Sequence, residues 1–348
     1  MTMLLDKTIT WGDESTEHVQ INELYRFILD GEEKNLLGFE IGYNGFPNGD
    51  RYYFTEGNPA ILEAELADMQ TAGIRIVAMT FRYPYSSTYA QFEIALDLFY
   101  QYKMLVVPYL VMKWVPTFDS GDNGPADNFL ITGSDYRDDH VADATDKFLE
   151  YDNVVAIGVE NEIDYPLDDY PTPGTDQEYT TAEVAEYLSE CKAIVTGKTT
   201  LPFFTKLMGY FGVEEYNNLQ IAALPYSVIP CWDPYESSVA NFTIGFTTMK
   251  QRGANDNDRP GHFWLTEFGT PTGGAPVAAN MTEDMIDNAF AKGASVVFLF
   301  TANRQQDNDA CFFNDLGDPI DTTTNVVFAN LSKWQRVIKH PLPIWRRQ

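Results

Sequence analysis

A single (β/α)8 barrel is the fold this sequence predicts, and three observations predict it. Eight short apolar runs rich in β-branched residues recur along the chain, at 36–41, 74–81, 104–111, 154–159, 202–207, 227–232, 263–266 and 296–300. Stretches with helical spacing lie between them, at 59–72, 89–102, 141–151, 181–195 and 283–292. Each run is too short for a helix and apolar on both faces, as in a strand buried within a parallel sheet. Alternation of strand and helix implies right-handed crossovers, and eight such units in roughly 300 residues match a closed barrel in number and length. A doubly wound sheet competes with this, but no run is followed by the G-x-G-x-x-G turn with which such a sheet holds phosphates.

The chain divides into a capping segment at 1–35 and a barrel at 36–348. In the cap, Val19, Ile21, Leu24, Tyr25 and Ile28 fall near helical spacing and Gly31 offers a stop, so a helix is expected over 18–29. At the first barrel helix, Asn58 supplies a cap and Pro59 suits the first turn. The sixth strand is the least defined, because 219–226 fits either a strand or a helix. No low-complexity linker interrupts the chain, so one domain is expected.

With 348 residues and 44% hydrophobic content, the chain can bury a large core. Its 51 acidic against 23 basic residues give a formal charge of −28, which repels nucleic acid and anionic membrane, so neither is expected as a partner. No stretch approaches the roughly 20 apolar residues that cross a bilayer. The start at Met1 has no basic segment followed by a long apolar one, and a cleaved signal would leave no trace, so cytoplasmic and secreted locations both stay open. Cys191, Cys231 and Cys311 are widely spaced, and His18, His140, His262 and His340 show no metal-binding spacing. No metal and no cofactor is expected.

Chemistry enters where two of the runs end. Val154-Val155-Ala156-Ile157-Gly158-Val159-Glu160-Asn161-Glu162 closes on two carboxylates flanking an amide, and Phe263-Trp264-Leu265-Thr266-Glu267 closes on a third. At the ends of strands four and seven, Glu162 and Glu267 face each other across the barrel mouth, where the loops after the strands build active sites. A buried carboxylate without a partner is costly, which sets this pair apart from Asn22-Glu23 and from the Thr-Glu pairs elsewhere. Two carboxyls across a cleft suit glycosidic bond cleavage, one donating a proton while the other stays ionised. A gap of about 5–5.5 Å gives retention of configuration and one of about 6.5–9.5 Å gives inversion. Trp114, Phe118, Tyr165, Tyr170, Phe312 and Phe313 lie in loops after the strands and Trp232 at a strand exit, and flat aromatic faces suit the apolar faces of sugar rings. Strand alternation points Glu160 to the same side as Glu162, one layer deeper. There it either binds a sugar hydroxyl or, as a buried acid, pairs with Arg82 or Arg75.

Gly158-Val159-Glu160-Asn161-Glu162 and Leu265-Thr266-Glu267-Phe268-Gly269 resemble the fourth- and seventh-strand signatures of glycoside hydrolase clan A, the retaining (β/α)8 enzymes. Asn161-Glu162 and Thr266-Glu267-Phe268-Gly269 are similar to those of family 5 glucanases and mannanases, and Val159-Glu160-Asn161-Glu162 to the family 35 β-galactosidase version. The resemblance implies a retaining hydrolase of β-linked glycans or oligosaccharides that needs no cofactor. Glu162 would be its general acid/base, Glu267 its nucleophile and Asn161 the holder of the 2-hydroxyl. It implies an Arg at the end of strand two, where Arg82 stands, and a Tyr near strand six that contacts the nucleophile, with Tyr235 the candidate and Tyr226 in reserve. Trp114, Trp232 and Glu160 complete the expected substrate-binding set.

The pattern is departed from in two places. The His positions of family 5 after strand three and near strand six have no counterpart. The Trp at the end of strand eight is also missing, which leaves Phe300 or Asn303 for that wall. A barrel that binds carbohydrate without cleaving it, and a transglycosylase using the same residues, are the alternatives to hydrolysis.

Overall fold

The computed structural model describes residues 2–41, 59–82, 86–111, 135–164, 180–209, 211, 214–236, 238–255, 261–272, 275–277, 282–300, 322–335 and 338. Its N-terminal segment corrects the expected helix over 18–29. β1 (Met3–Thr10), β2 (Thr16–Asn22), β3 (Phe27–Leu29) and β4 (Glu32–Lys34) form a four-stranded antiparallel sheet in that order. The cause is local. Val19 and Ile21 fit a period of two as well as a helical face, and burial along β2 follows the strand's alternation. Asn22 Oδ1 then accepts the N–H groups of Leu24 (2.9 Å) and Arg26 (3.1 Å), and Tyr25 takes φ 59°, so the chain reverses.

This sheet packs against the N-terminal ends of the barrel strands. The Trp264 indole N–H and the Ser295 hydroxyl both donate to the Tyr25 carbonyl, at 2.8 and 2.9 Å. The Phe27 ring stacks on Trp264 with centroids 5.7 Å apart. Arg75 pairs with Glu17 at 2.6 Å, at the end of the barrel remote from its mouth, as its place before the second strand implies.

The barrel strands are β5 (Leu36–Ile41), β6 (Ile76–Arg82), β7 (Leu105–Val111), β8 (Ile157–Val159), β9 (Phe203–Phe204), β10 (Lys206–Met208), β11 (Cys231–Asp233) and β12 (Phe263–Phe268). A short hairpin of β13 (Thr270–Thr272) and β14 (Ala275–Val277) follows, and β15 (Ala294–Leu299) completes the set. All neighbours in the sheet are parallel, in the order β10-β11-β12-β15-β5-β6-β7-β8-β9. β9 and β10 are two halves of one stave. Phe203 and Phe204 pair with β8, Lys206 to Met208 pair with β11, and between them the Thr205 N–H turns aside to Ser227 Oγ at 3.0 Å. Counted so, eight staves close the ring, in agreement with the sequence expectation.

Every residue of β5, β7, β12 and β15 is buried, because one face lines the barrel and the other lies under helices. The strands approach closely where glycine allows it, and a Cβ on Gly38 would stand 2.2 Å from the Ile76 carbonyl oxygen.

The helices around the ring are α1 (Pro59–Ala72), α2 (Ser86–Gln101), α3 (Asp135–Leu149), α4 (Thr181–Lys198), α5 (Glu214–Ala223), α6 (Val239–Asn255), α7 (Glu283–Lys292) and α8 (Thr322–Trp334). The ambiguous stretch at 219–226 ends α5 and continues as a 3-10 turn, Leu224–Tyr226. α6 and α8 were not among the helices expected. In α6 the threonines discourage a helical reading, since β-branched residues favour strands. Thr243 and Thr247 instead bond back to the carbonyls of Val239 and Thr243, both at 2.7 Å, while Phe242, Phe246 and Met249 bury the inner face.

Candidate active site

The strand ends deliver their carboxylates by breaking the regular alternation. After β8 the backbone is left-handed at Glu160 (φ 67°) and again at Glu162 (φ 46°), an uncommon state for residues with a Cβ. The turn is fixed on three sides. The Glu160 N–H donates to Leu110 O at 2.7 Å and the Ile163 N–H to Lys206 O at 3.4 Å. The buried Asp164 carboxylate accepts the Met208 N–H at 2.8 Å and the Gln220 amide at 2.7 Å. Arg252 in turn donates to Gln220 Oε1 and to Asn217 Oδ1, tying α5 and α6 to the end of the fourth stave.

These left-handed residues correct the expected orientation of Glu160. Its carboxylate accepts the Tyr187 hydroxyl at 2.6 Å, and Tyr187 belongs to α4 outside the barrel. Glu160 therefore faces the helix layer rather than the mouth. The positive φ has rotated it out of the strand alternation on which the expectation rested. Pairing with Arg75 is also overturned, since Arg75 is held by Glu17 at the far end.

In β12 the register shifts between Leu265 and Phe268, and this irregularity lets neighbouring Thr266 and Glu267 both reach the barrel interior. The Thr266 hydroxyl donates to Asp233 Oδ1 at 2.7 Å. Glu267 is gripped on both oxygens, Oε1 accepting from the Lys206 ammonium and Oε2 from the Tyr235 hydroxyl. Tyr235 is placed by a bridge between its backbone and Gly269, and its ring meets Phe300 edge-on with centroids 5.8 Å apart. Burial together with Glu267, Asp233 and Glu162 pushes the Tyr235 hydroxyl well above its usual range, so it keeps its proton and acts as donor. Tyr235 thus stands where strand six was expected to supply it.

Below Glu267 lies a polar cluster unusual for a barrel core. Glu40 of β5, Tyr109 of β7, Lys206 of β10 and Glu267 of β12 come from staves one, three, five and seven, the alternate staves that contribute to one interior layer. Lys206, fully buried, donates to Tyr109 OH at 2.8 Å and to Glu40 Oε2 at 3.3 Å as well as to Glu267, and lies 3.5 Å from Asp233 Oδ2. Its three N–H groups are all used. Tyr109 donates to Glu40 Oε1, which the Thr80 hydroxyl also reaches at 3.1 Å.

With three carboxyls around one ammonium, the cluster favours protonated acids. Burial, with Glu267 adding to it, pushes Glu40 up to about 7, against the opposing pull of Lys206. Burial also drives Asp233 well above the carboxylate range, although Lys206 pulls it the other way. The surrounding acids hold Lys206 firmly protonated in spite of its burial.

Glu162 and Asn161 are half-buried, and Glu162 is close enough to act electrostatically on both Asp233 and Tyr235. Asn161 Oδ1 is buried with no hydrogen-bond partner among the described residues. Trp232 is fully buried against Phe211, with centroids 5.5 Å apart, and so presents no face to solvent. Tyr226 sits in the 3-10 turn after α5. Arg82 ends β6, where its backbone pairs with Val111, but its side chain lies outside the described set, as do Trp114, Phe118, Tyr165, Tyr170, Asn303, Phe312 and Phe313. Among the described residues no group of three or more His, Cys, Asp or Glu side chains has a geometry that could hold a metal ion, and no helix is long and apolar enough to cross a membrane.

Sequence reasoning missed Lys206, Glu40, Tyr109, Asp233 and Asp164. A signal was present for two of them, because Glu40 and Lys206 are charged residues inside otherwise apolar runs. A charge in such a run demands a partner, although only the closed ring shows that these two are partners of each other.

No protein-family model matches the chain, and no curated protein matches it. Solved structures do. A GH5_18 variant from Streptomyces cattleya in complex with Manβ1-4GlcNAc superposes with a TM-score of 0.69 at 13% identity, covering 89% of this chain and 83% of that one. The endo-β-1,4-mannanase from Thermotoga petrophila gives 0.60 at 13% identity, covering 87% and 77%. The exo-β-1,4-mannosidase Op5Man5 from Opitutaceae bacterium strain TAV5 gives 0.59 at 11% identity, covering 88% and 60%. Identities this low speak to architecture, and on that ground the chain has the (β/α)8 fold shared by GH5 structures of clan A.

Proposed function

We propose that the protein is a retaining glycoside hydrolase acting on β-linked glycans or oligosaccharides. The observation that carries the reading is Glu267, a carboxylate at the mouth end of stave seven held on both oxygens by Tyr235 and Lys206. A carboxylate held this way is oriented for attack rather than left to solvent. In this mechanism Glu162 protonates the departing oxygen while Glu267 attacks the anomeric carbon, forming a covalent glycosyl-enzyme. Glu162 then removes a proton from the water that releases the sugar. The left-handed turn at 160–162 presents Glu162, and the unpartnered amide oxygen of Asn161 beside it suits a hydrogen bond from the 2-hydroxyl. The fold-level neighbours point the substrate search toward β-mannosides, with Manβ1-4GlcNAc among the first compounds to try.

The test is hydrolysis of a panel of aryl β-glycosides and β-linked disaccharides, followed by Glu162→Ala and Glu267→Ala. Each variant is expected to lose turnover while melting like the parent. Azide should restore the Glu267 variant and give a glycosyl azide of inverted configuration. Full activity in either variant, or a wild type that binds these sugars and cleaves none of them, refutes the assignment.

A further inference from the structure

We infer that Lys206, from stave five, is a positioning residue of the nucleophile, supplying a cation from inside the barrel in addition to the Arg82 that the family resemblance implies. The inference rests on the hydrolase reading of Glu267 and concerns how that carboxylate is held. Lys206 has no exposed surface, and its closest carboxyl partner is Glu267 Oε1. The ammonium is itself immobilised from four sides: Glu40 on stave one, Tyr109 on stave three, Asp233 on stave six and Glu267 on stave seven. Thr80 on stave two supports Glu40.

An ammonium whose three donors are all engaged has one position available to it, and so has the oxygen it holds. With Oε1 drawn inward and Oε2 held by Tyr235 on the half-buried side, Oε2 is the oxygen presented to the anomeric carbon. The site is also costly for the fold. A buried cation ringed by acids carries a large desolvation penalty, which apolar packing at the same position would avoid. Nothing in barrel closure requires it, since the interior layers of such barrels are ordinarily filled by branched apolar side chains.

Lys206→Met keeps most of the length of the side chain and removes the charge. In a folded protein it should lower kcat about 10²-fold with little change in KM, because a loosened nucleophile loses orientation rather than substrate affinity. The acid limb of the kcat/KM profile should move to higher pH, since the remaining groups facing the position, Glu40, Asp233, Glu267, Tyr109 and Cys231, no longer share a cation. Lys206→Arg should recover part of kcat. Where Lys206→Met does not fold, the pair Glu40→Gln with Lys206→Met removes the ammonium together with a carboxyl it faces and should show the same kcat loss. A folded variant with kcat within threefold of the parent and an unmoved pH profile overturns the inference, as does a loss confined to KM or to melting temperature. A parent that cleaves no β-glycoside fails earlier and overturns the hydrolase reading with it, so the two failures are told apart.

Discussion

Glu40 gives the most quantitative prediction. Its carboxyl is fully buried and is pushed from an ordinary 4.5 up to about 7, first by burial and then by Glu267, with Lys206 opposing. Below pH 4.5 the folded and unfolded chains both carry this proton, and above about pH 7 both have lost it. Between those values the folded protein binds a proton that the unfolded chain has released, so stability falls as pH rises through the window. At 1.36 kcal/mol per pH unit, the full difference is on the order of 3 kcal/mol. Glu40→Gln removes the titration while leaving an amide oxygen to accept from Tyr109. Urea midpoints of parent and variant, measured side by side from pH 4.5 to 8, should show the variant gaining on the parent steadily as pH rises, and levelling above about pH 7. A gap between the two that is constant across this range would refute the reasoning, because it would mean that Glu40 titrates alike in both states.

Other expectations can be checked alongside. Gly38→Ala places a Cβ 2.2 Å from the Ile76 carbonyl, where backbone of the ring cannot retreat, and should cost about 3 kcal/mol by denaturation. Gly197→Ala is its control, since that glycine lies in α4 with nothing near its Cβ position, and it should stabilise by about 0.5–1 kcal/mol. Thr180→Ala breaks the capping box with Glu183 at the start of α4 and should cost about 1 kcal/mol, read from the melting temperature. Removing residues 1–35 bares Trp264 and the lower barrel end that Phe27 covers, and should yield aggregated protein. A truncated chain that melts like the parent would refute that dependence.

Local pattern made much of the barrel legible. The apolar runs at 36–41 and 263–266 and the helical spacing at 59–72 and 283–292 lie where β5, β12, α1 and α7 form, because each element's burial is written in its own periodicity. Failure came where two periods coincide. Val19 and Ile21 suit a helix or a strand, and it was the Asn22 turn together with the Trp264 partner below that chose the strand. In α6 packing of Phe242, Phe246 and Met249 overrode a threonine-rich local preference.

The same division runs through the site. Glu162 and Glu267 could be placed from the sequence, because a strand that ends in a polar group at the barrel mouth has a defined place in the ring, and Tyr235 could be named through the family resemblance. The orientation of Glu160 could not, since it follows from a left-handed backbone at two successive acidic positions that alternation does not foresee. Nor could the partnership of Lys206 with Glu40, Asp233 and Glu267, whose members lie on four staves far apart in sequence. The sequence by itself determined the staves and the carboxylates at their ends. Closure of the ring decided which charges meet, because only there do alternate staves bring distant residues into one water-excluded layer.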